Sequence, residues 1–243
     1  ERAVGDALDE EAFLAEAQEL AVDSHAFDAA AGDLGGGDGR VGQGHGTHVS
    51  GTIAALVDGA GVVGVAPEVD LYAVKVLSST GSGAWSSIIS GLDWCVANGM
   101  QVVNLSLGSS TDPGTTVKAA FDNAYAAGLV VVASAGNSGA GADTVGYPAH
   151  YDSVIAVGST TSSDTLSSFS STGPTVEVAA PGSSIYSTLN GGGWGTMSGT
   201  SMASPHATGV MALILAAGIE DADGNGRRND EARWVLQSTC LDL

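Results

Sequence analysis

Residues 101–136 read QVVNLSLGSSTDPGTTVKAAFDNAYAAGLVVVASAG, and this stretch decides the fold class. It begins with a short apolar run, QVVNLSL at 101–107, and ends with a second one, LVVVASAG at 129–136. Between them lies a helix-like segment, TTVKAAFDNAYAAG at 115–128. Short apolar strands separated by helices are typical of parallel strands whose connections cover the sheet. The stretch therefore predicts one strand–helix–strand unit of an α/β protein.

The same alternation continues on both sides of this unit. Upstream lie a β-rich run, LYAVKVL at 71–77, and a helix-like segment, SSIISGLDWCVANG at 86–99; downstream lies SVIAVGS at 153–159. We therefore predict an α/β fold, a three-layer sandwich in which helices cover both faces of a mainly parallel central sheet. In such sheets, functional side chains gather at the carboxyl ends of the strands.

The first 43 residues differ in character from the rest of the chain. Residues 9–22 read DEEAFLAEAQELAV and predict an acidic amphipathic helix with apolar residues on one side. From 29 to 43 the chain is rich in glycine and aspartate, and this composition predicts a loop. We therefore expect a divergent N-terminal segment at 1–43 and a single domain at 44–243.

The charge balance excludes one class of partner. The 243-residue chain carries 27 acidic against 7 basic side chains, which gives a formal net charge of −20. Because such a chain cannot neutralise a run of phosphates, we expect no nucleic-acid partner. No apolar stretch reaches the roughly 18 residues that span a bilayer, so we expect no membrane partner either. The acidic surface is compatible with secretion or a salty habitat, and equally with an ordinary soluble protein.

A candidate nucleophile lies where the last long apolar run begins. Residues 199–205 read GTSMASP and lead directly into HATGVMALILAAGI at 206–219, a run typical of a buried helix. Ser201 would stand at the start of that helix, where backbone N–H groups and the helix dipole favour developing negative charge. By itself, a serine among small residues more often belongs to a plain loop.

The candidate general base is His45. It lies in GHGTHV at 44–49 between two glycines, which would let a substrate backbone come close. His48 is the competitor, and the two histidines together have a spacing that can bind metal on a helix. No acidic third ligand is spaced as in a zinc hydrolase. Asn137, in SAGNSG after the run at 129–136, could donate its amide to an oxyanion or could form a turn.

Five segments together resemble one family, the subtilisin-like serine proteases. They are HGTHVSGTIAAL at 45–56, GVAPEVDLYAVKVL at 64–77, NLSLG at 104–108, VVVASAGN at 130–137 and GTSMASPHATG at 199–209. The resemblance runs almost continuously from Gly44 to about Gly218. It implies that Ser201 is the nucleophile, His45 the catalytic base and Asn137 the oxyanion donor. It also implies peptide-bond hydrolysis through an acyl-enzyme.

The resemblance further implies a substrate cleft. Two segments resemble those that pair with the backbone of an extended peptide: Gly81, Ser82 and Gly83, and Ser106, Leu107 and Gly108. The residues that resemble the primary pocket are small: Ala133 to Gly136, and Gly146. By this analogy the pocket is roomy and apolar, and it favours large uncharged side chains such as Phe, Tyr or Leu.

The family pattern fails at the third member of the catalytic triad. The family carries an apolar strand ending in Asp-Thr-Gly or Asp-Ser-Gly before the histidine motif, and this sequence contains neither tripeptide. Asp23, followed by Ser24 in LAVDSH at 20–25, is the nearest candidate. SHAFD at 24–28 instead resembles the segment downstream of that motif, which would put the catalytic position in the acidic helix. The two alignments conflict.

One segment has the spacing of a calcium-binding loop. DADGNGRRNDE at 221–231 places Asp221, Asp223 and Asn225 before Gly226, as in an EF-hand. Because side-chain oxygens at this spacing suit a hard cation, we predict a structural calcium ion there. Position twelve of the loop is Ala232, where a bidentate acid is wanted, and a plain turn is the alternative.

These observations predict a monomeric, extracellular serine endopeptidase of broad specificity that acts on proteins or peptides. The alternative is a peptide-binding domain that keeps the cleft but lacks a working triad; a metal-dependent hydrolase using His45 and His48 is a third hypothesis. The domain at 44–243 is expected to be truncated at its C-terminal end, since WVLQSTCLDL at 234–243 stops where the family continues into a glycine-containing turn. A fragment or an altered start is therefore favoured over an evolved loss of activity.

Overall fold

The central sheet has six strands. The computed structural model describes residues 29–31, 44–78 and 81–241, and the strands of its sheet are β1 (Ala29–Ala31), β2 (Leu71–Tyr72), β3 (Val102–Leu105), β4 (Val130–Ser134), β5 (Ile155–Thr160) and β6 (Val176–Pro181). Their order across the sheet is β2-β1-β3-β4-β5-β6, and every neighbouring pair is parallel. A separate antiparallel hairpin consists of β7 (Ile185–Thr188) and β8 (Trp194–Met197).

Helices lie on both faces of this sheet. In chain order they are α1 (His45–Ala54), α2 (Trp85–Ala97), α3 (Thr115–Ala126), α4 (Thr200–Ala216) and α5 (Asn229–Thr239). Helices α1, α4 and α5 share one apolar core with the sheet, and α2 and α3 share the other. The predicted α/β sandwich with a parallel central sheet is therefore confirmed.

The middle strands explain how one sheet serves two cores. Successive side chains of a strand point to opposite faces, so Val130 and Val132 of β4 enter the core on the α4 side, and Val131 and Ala133 enter the core on the α2 side. Strands β3, β4 and β5 are buried at every position, as expected for parallel strands covered on both faces. Phe121 of α3 is fully buried against this layer, which stabilises the fold by about 1.5–3 kcal/mol.

Two predictions about strands need correction. The predicted loop at 29–43 contains β1, which pairs in parallel with β2 and β3; three alanines have little strand propensity of their own, so the pairing with two neighbours decides. The predicted strand at 71–77 is shorter than expected, because β2 ends at Tyr72 and the following Val74 and Val76 pack against the core under α2. The predicted helix at 9–22 lies outside the described residues.

The helix predicted to begin at Ser201 begins at Thr200, one residue earlier, and it is the longest described helix, with 17 residues. Among the described helices, none combines the length and the apolar character of a membrane span. The carboxyl ends of β3 and β4 face the beginning of α4, since Ser106 and Asn137 both hydrogen-bond to residues of its first turn. Ser201 and Asn137, two of the polar residues predicted to carry chemistry, therefore lie at the same edge of the sheet.

Candidate active site

Ser201 is the second residue of α4 and lines a cavity of about 230 Å³. The other lining residues follow β3 and β4 in the chain or belong to the end of β4: Leu107, Gly108, Ser109, Ser110, Ser134, Gly136, Asn137, Ser138, Gly146 and Tyr147. None of these side chains carries a charge at neutral pH. The cavity therefore offers uncharged walls, mostly of small residues, to a ligand held beside the Ser201 hydroxyl.

A buried hydrogen-bond network fixes the backbone at Ser201. Pro205, four residues further along α4, has no N–H group with which to bond the Ser201 carbonyl. The hydroxyl of Ser106 donates to that carbonyl instead, over 2.7 Å, and accepts a hydrogen bond from Asn104 Nδ2 over 2.9 Å. The side-chain Oδ1 of Asn104 accepts hydrogen bonds from two hydroxyls of α4, those of Ser204 and Thr208. The carboxyl end of β3 is thus tied to the first turns of α4.

Asn137 is held with its amide group available. Its Oδ1 accepts hydrogen bonds from the backbone N–H of Thr200, over 2.9 Å, and from the Thr200 hydroxyl, over 3.1 Å. The same hydroxyl accepts the N–H of Gly136 over 3.1 Å. Because the carbonyl side of Asn137 is engaged in this way, its Nδ2 amide is the group that can donate to an anion beside Ser201.

His45 is the first residue of α1 and is partly exposed. Gly44, which precedes it, has a φ of 119°, a conformation that favours glycine. Helix α1 packs against α4 through the same apolar core, to which Val49 and Met211 belong. His45 and Ser201 therefore stand at the N-terminal ends of two packed helices.

His48 is the competing histidine, and its surroundings suit a structural role. It is completely buried, and its Nε2 lies 2.9 Å from the carbonyl oxygen of Ile185 in β7. Burial lowers its pKa, although the hydrogen bond to Ile185 opposes this shift. The imidazole is consequently neutral and bound to β7 near neutral pH, and its Nε2–H donates to the strand.

The residues predicted to bind a substrate backbone lie in two places. Leu107 and Gly108 line the cavity, while Ser106 is buried behind it and bonded to Ser201. The other segment, Gly81, Ser82 and Gly83, forms an exposed turn before α2 and does not line this cavity.

The residues predicted for the primary pocket also divide. Ser134, Gly136 and Gly146 line the cavity, but Ala133 and Ala135 are completely buried in the core on the α2 side. Several lining residues were missed from the sequence: Ser109, Ser110, Ser138 and Tyr147. All of them adjoin predicted residues or follow them by a few positions after β3 and β4, which is the signal that could have found them.

The predicted calcium loop brings three carboxylates together. One oxygen each of Asp221, Asp223 and Glu231 lies within 4.8 Å of the others, and this is the only such group of possible ligands in the described part of the chain. Glu231, at position eleven, was not predicted; Ala232, at position twelve, is completely buried. Asn225 directs its Nδ2 amide towards the carboxylates of Asp223 and Asp230.

The backbone of this loop is also shaped around the acids. Asp221 accepts the N–H groups of Gly224, over 2.8 Å, and Gly226, over 2.7 Å. Within the described residues, Oε2 of Glu231 is buried and makes no hydrogen bond. Carboxylate oxygens arranged in this way suit a hard cation such as Ca²⁺.

Asp23, the candidate for the third triad member, lies outside the described residues.

Comparison with known proteins gives concordant matches. The Subtilase family matches residues 12–238. Subtilisin DY from Bacillus licheniformis is 56% identical over 177 residues, which are 72% of this chain and 64% of that protein. Subtilisin E from Bacillus subtilis (strain 168) is 55% identical over 177 residues, 72% of this chain and 46% of that protein. The chain thus spans between about half and two thirds of the length of these relatives.

A solved structure agrees with these sequence matches. The crystal structure of a cold adapted subtilisin-like serine proteinase aligns with a TM-score of 0.71 at 37% sequence identity. The alignment covers 87% of this chain and 81% of that one. The similarity therefore extends to the arrangement of strands and helices as well as to the motifs.

Proposed function

This chain belongs to the subtilase family, and on that premise we propose that it is a serine endopeptidase that hydrolyses peptide bonds through an acyl-enzyme. The observation that carries the proposal is the arrangement at the start of α4. Ser201 lines an uncharged cavity there, next to an asparagine whose carbonyl is held by Thr200.

In the proposed mechanism, His45 accepts the proton of Ser201 as the hydroxyl oxygen attacks the peptide carbonyl carbon. The negative charge that develops on the carbonyl oxygen is stabilised by Asn137 Nδ2 and by the backbone N–H of Ser201 at the helix terminus. His45 then gives the proton to the leaving amine, and water hydrolyses the acyl-enzyme by the reverse steps.

The proposed specificity is broad, with a preference for large apolar side chains. A cavity of about 230 Å³ with no charged side chain in its wall supports the binding of a large uncharged side chain, although its serines make the wall less apolar than the resemblance implied. Leu107 and Gly108 at its edge are available to pair with the backbone of an extended peptide. Protein or peptide substrates of varied sequence are therefore expected.

The proposal is tested with a fluorophosphonate probe that labels activated serines. The wild-type protein should be labelled, and Ser201→Ala and His45→Ala should not be. Ser86→Ala, which changes an exposed serine of α2, is the matched control and should label like the wild type. A folded wild-type protein that remains unlabelled would contradict the proposal and favour a peptide-binding domain without catalysis.

If Asp23, the nearest candidate in the sequence, orients His45 rather than a position in the acidic helix, its replacement has a measurable cost. Asp23→Asn should then lower turnover by about 10⁴-fold, the order of loss that the same change causes in well-characterised serine proteases. Asp28→Asn is the control and should keep turnover near that of the wild type. Equal turnover in the two variants would reject Asp23.

The proposal includes a structural calcium ion held by Asp221 and Asp223, with Glu231 and Asn225 beside them. Such an ion would offset the repulsion of three close carboxylates, so chelation by EDTA should lower the melting temperature. Glu231→Gln should weaken calcium binding in a calorimetric titration, because the charge is lost while an amide oxygen can still accept from Ala222 and Asp223. Glu220→Gln, an exposed neighbour, should bind calcium like the wild type; equal affinities in both variants would exclude Glu231.

The extracellular location and the monomeric state stay predictions from the sequence. The acidic surface is compatible with secretion. Its strong like charge also disfavours association between copies of the chain. Sedimentation velocity at several concentrations would test the monomer directly. A concentration-dependent rise in the sedimentation coefficient would contradict it.

A further inference from the structure

One wall of the cavity beside Ser201 is continued by a loop that does not itself line the cavity. Ser138 and Gly146 line it on one side, and residues 139–145 connect them; we refer to these as the 139–145 loop. The loop begins with the sequence GAGA at 139–142. Because these residues have no large side chain with which to pack, hydrogen bonds to the backbone must hold this part of the loop.

Thr172 supplies such bonds in the middle of the loop. Its Oγ1 donates to the carbonyl oxygen of Gly141 over 2.7 Å and accepts the N–H of Gly141 over 2.9 Å. One hydroxyl group thus bonds both backbone polar groups of an exposed glycine. The position of Thr172 therefore determines the position of the loop at Gly141.

Thr144 completes a reciprocal pair with Thr172, and we call the two residues the threonine clamp. The backbone N–H of Thr144 donates to the carbonyl of Thr172 over 2.7 Å, and the backbone N–H of Thr172 donates to Oγ1 of Thr144 over 3.0 Å. Oγ1 of Thr144 also donates to the carbonyl of Gly139 over 2.7 Å. The clamp therefore joins both ends and the middle of the loop to one point on the neighbouring chain segment.

Ser171, which precedes Thr172 in the chain, contacts the cavity wall directly. Ser171 accepts the N–H of Ser138 through its hydroxyl, over 3.2 Å, and its own N–H donates to the carbonyl of Gly136 over 2.9 Å. On the other side of the clamp, a side chain at Gly173 would place its Cβ 2.5 Å from Oδ1 of Asp143. The segment 171–173 thus lies directly along the loop and the wall that it supports.

We infer that Thr172 is a positioning residue for substrate specificity: through the threonine clamp it holds Ser138 and Gly146 at the separation that accepts a large apolar side chain. This inference rests on the proposed function, because the side chain concerned belongs to a peptide substrate. Val145 at the end of the loop is fixed in the core on the α2 side, whereas the GAGA part is held at Gly141 by the Thr172 hydroxyl, so removing that hydroxyl lets the Ser138 side shift relative to Gly146. The contact surface offered to a large side chain is then lost, while Ser201 and Asn137 remain bonded by Thr200 and Ser106.

The test compares peptide substrates that differ only in Phe or Ala at the residue before the cleaved bond. Thr172→Val preserves the shape of the side chain and removes the hydroxyl. It should lower the Phe-to-Ala ratio of kcat/KM by about fivefold, the effect of losing roughly one net hydrogen bond, through a higher KM for the Phe substrate. Thr172→Ser keeps the hydroxyl and should restore the ratio.

Thr175→Val is a matched control for the same chemical change. Its hydroxyl is buried and, within the described residues, makes no hydrogen bond, so the ratio should stay that of the wild type. An unchanged ratio in Thr172→Val would overturn the inference. A loss of equal size for the Phe and Ala substrates would overturn it too, because that result indicates a general effect on the active site.

A binding measurement separates this inference from the proposed function. The dissociation constants of acetylated peptides ending in Phe or Ala, measured by NMR titration, require no catalysis. Weaker binding of the Phe peptide to Thr172→Val alone would support the clamp even if the fluorophosphonate left wild-type Ser201 unlabelled and the peptidase proposal failed. Equal binding of the Phe peptide by Thr172→Val and the wild type would reject the clamp.

Discussion

Thr200 bonds Asn137 through its backbone N–H and through its hydroxyl, and that hydroxyl also accepts the N–H of Gly136. Thr200→Val keeps the backbone bond but leaves the asparagine amide less firmly oriented. Because an oxyanion donor acts in the transition state, kcat should fall about tenfold, which corresponds to about 1.4 kcal/mol, with KM nearly unchanged. Steady-state kinetics on a peptide substrate would measure this.

Thr200→Ser is the control for that change, because it retains the hydroxyl and both of its hydrogen bonds. Its kcat should remain near that of the wild type. A Thr200→Val variant with a raised KM and an unaltered kcat would contradict the role assigned here, since such a result indicates a loss of ground-state binding.

One buried and one partly buried histidine should make the protein less stable in mild acid. Burial lowers the pKa of His48 and of His206, and the pKa of His206 is lowered further by the charge of His48. Below pH 6.5 the unfolded chain binds protons that the folded protein does not, so the free energy of unfolding falls as the pH falls. Above pH 6.5 the full stability is present. Urea unfolding at pH 7.5, 6.5 and 5.5 would measure the change.

His48→Gln isolates one of these two contributions. A glutamine amide can still donate to Ile185 but takes up no proton in this range, so stability should depend less steeply on pH between 6.5 and 5.5. The pH dependence would have another source if this variant retained the wild-type slope.

Single residues divide into those that a motif identifies and those that only the fold can assemble. Ser201, His45 and Asn137 lie in segments whose amino-acid sequences are specific to the subtilase family. Thr172 is distant in sequence from Gly141, whose backbone it bonds. Glu231 joins the acidic cluster from loop position eleven, where no ligand was expected. Their hydrogen bonds depend on how two segments meet, and no local pattern encodes that meeting.

At the scale of elements, the packing of α4 against the segment before β2 leaves no room at Gly209. A Cβ atom there would lie 2.6 Å from Cβ of Val65. Gly209→Ala gains about 1 kcal/mol of helix propensity but overpacks the contact by about 1–3 kcal/mol, so a net destabilisation of about 1 kcal/mol is expected. Chemical denaturation would show it as a lower midpoint.

The neighbouring Val210→Ala provides the comparison for Gly209→Ala. Val210 is on the exposed side of the same helix, with 38% of its surface accessible, so its replacement should change stability by no more than about 0.5 kcal/mol. A midpoint that is lower for Val210→Ala than for Gly209→Ala would contradict this account of the contact.

The elements that could be predicted are those whose own sequence specifies them. β3, α3 and β4 lie inside the predicted runs, because each has a fitting length and apolar residues that enter one core, for α3, or both cores, for β3 and β4. β1 could not be predicted, since three alanines become a strand only through pairing with β2 and β3. The hairpin of β7 and β8 was not predicted either, although β7 accepts a bond from His48 and so supports α1.

At the scale of the whole molecule, an ion pair reinforces the apolar packing of α5 against the sheet. Arg233 of α5 bonds Glu177 of β6 and also donates to the carbonyl of Asp152 over 2.8 Å. The side chains of this pair are only 17% and 14% exposed, so each charge relies on its partner more than a surface pair would. Most of the other negatively charged side chains are exposed, so water and dissolved ions must screen their mutual repulsion.

The net charge of −20 makes the folded state dependent on salt. Like charges repel more strongly in the compact protein than in the expanded chain, and the screening length falls from about 30 Å at 0.01 M salt to about 3 Å at 1 M. The melting temperature should therefore rise as NaCl is raised through this range. Differential scanning calorimetry in NaCl, rather than in a sulfate salt, avoids the separate stabilisation caused by sulfate exclusion from the surface.

A variant with fewer exposed acids tests whether repulsion is the cause of that rise. Glu68→Gln, Asp70→Asn and Asp93→Asn together remove three exposed negative charges. The triple variant should melt at a higher temperature than the wild type in 0.01 M NaCl, and the difference should shrink in 1 M NaCl, where screening has already removed most of the repulsion. If both proteins gained the same number of degrees between the two salt concentrations, self-repulsion would not be what NaCl relieves.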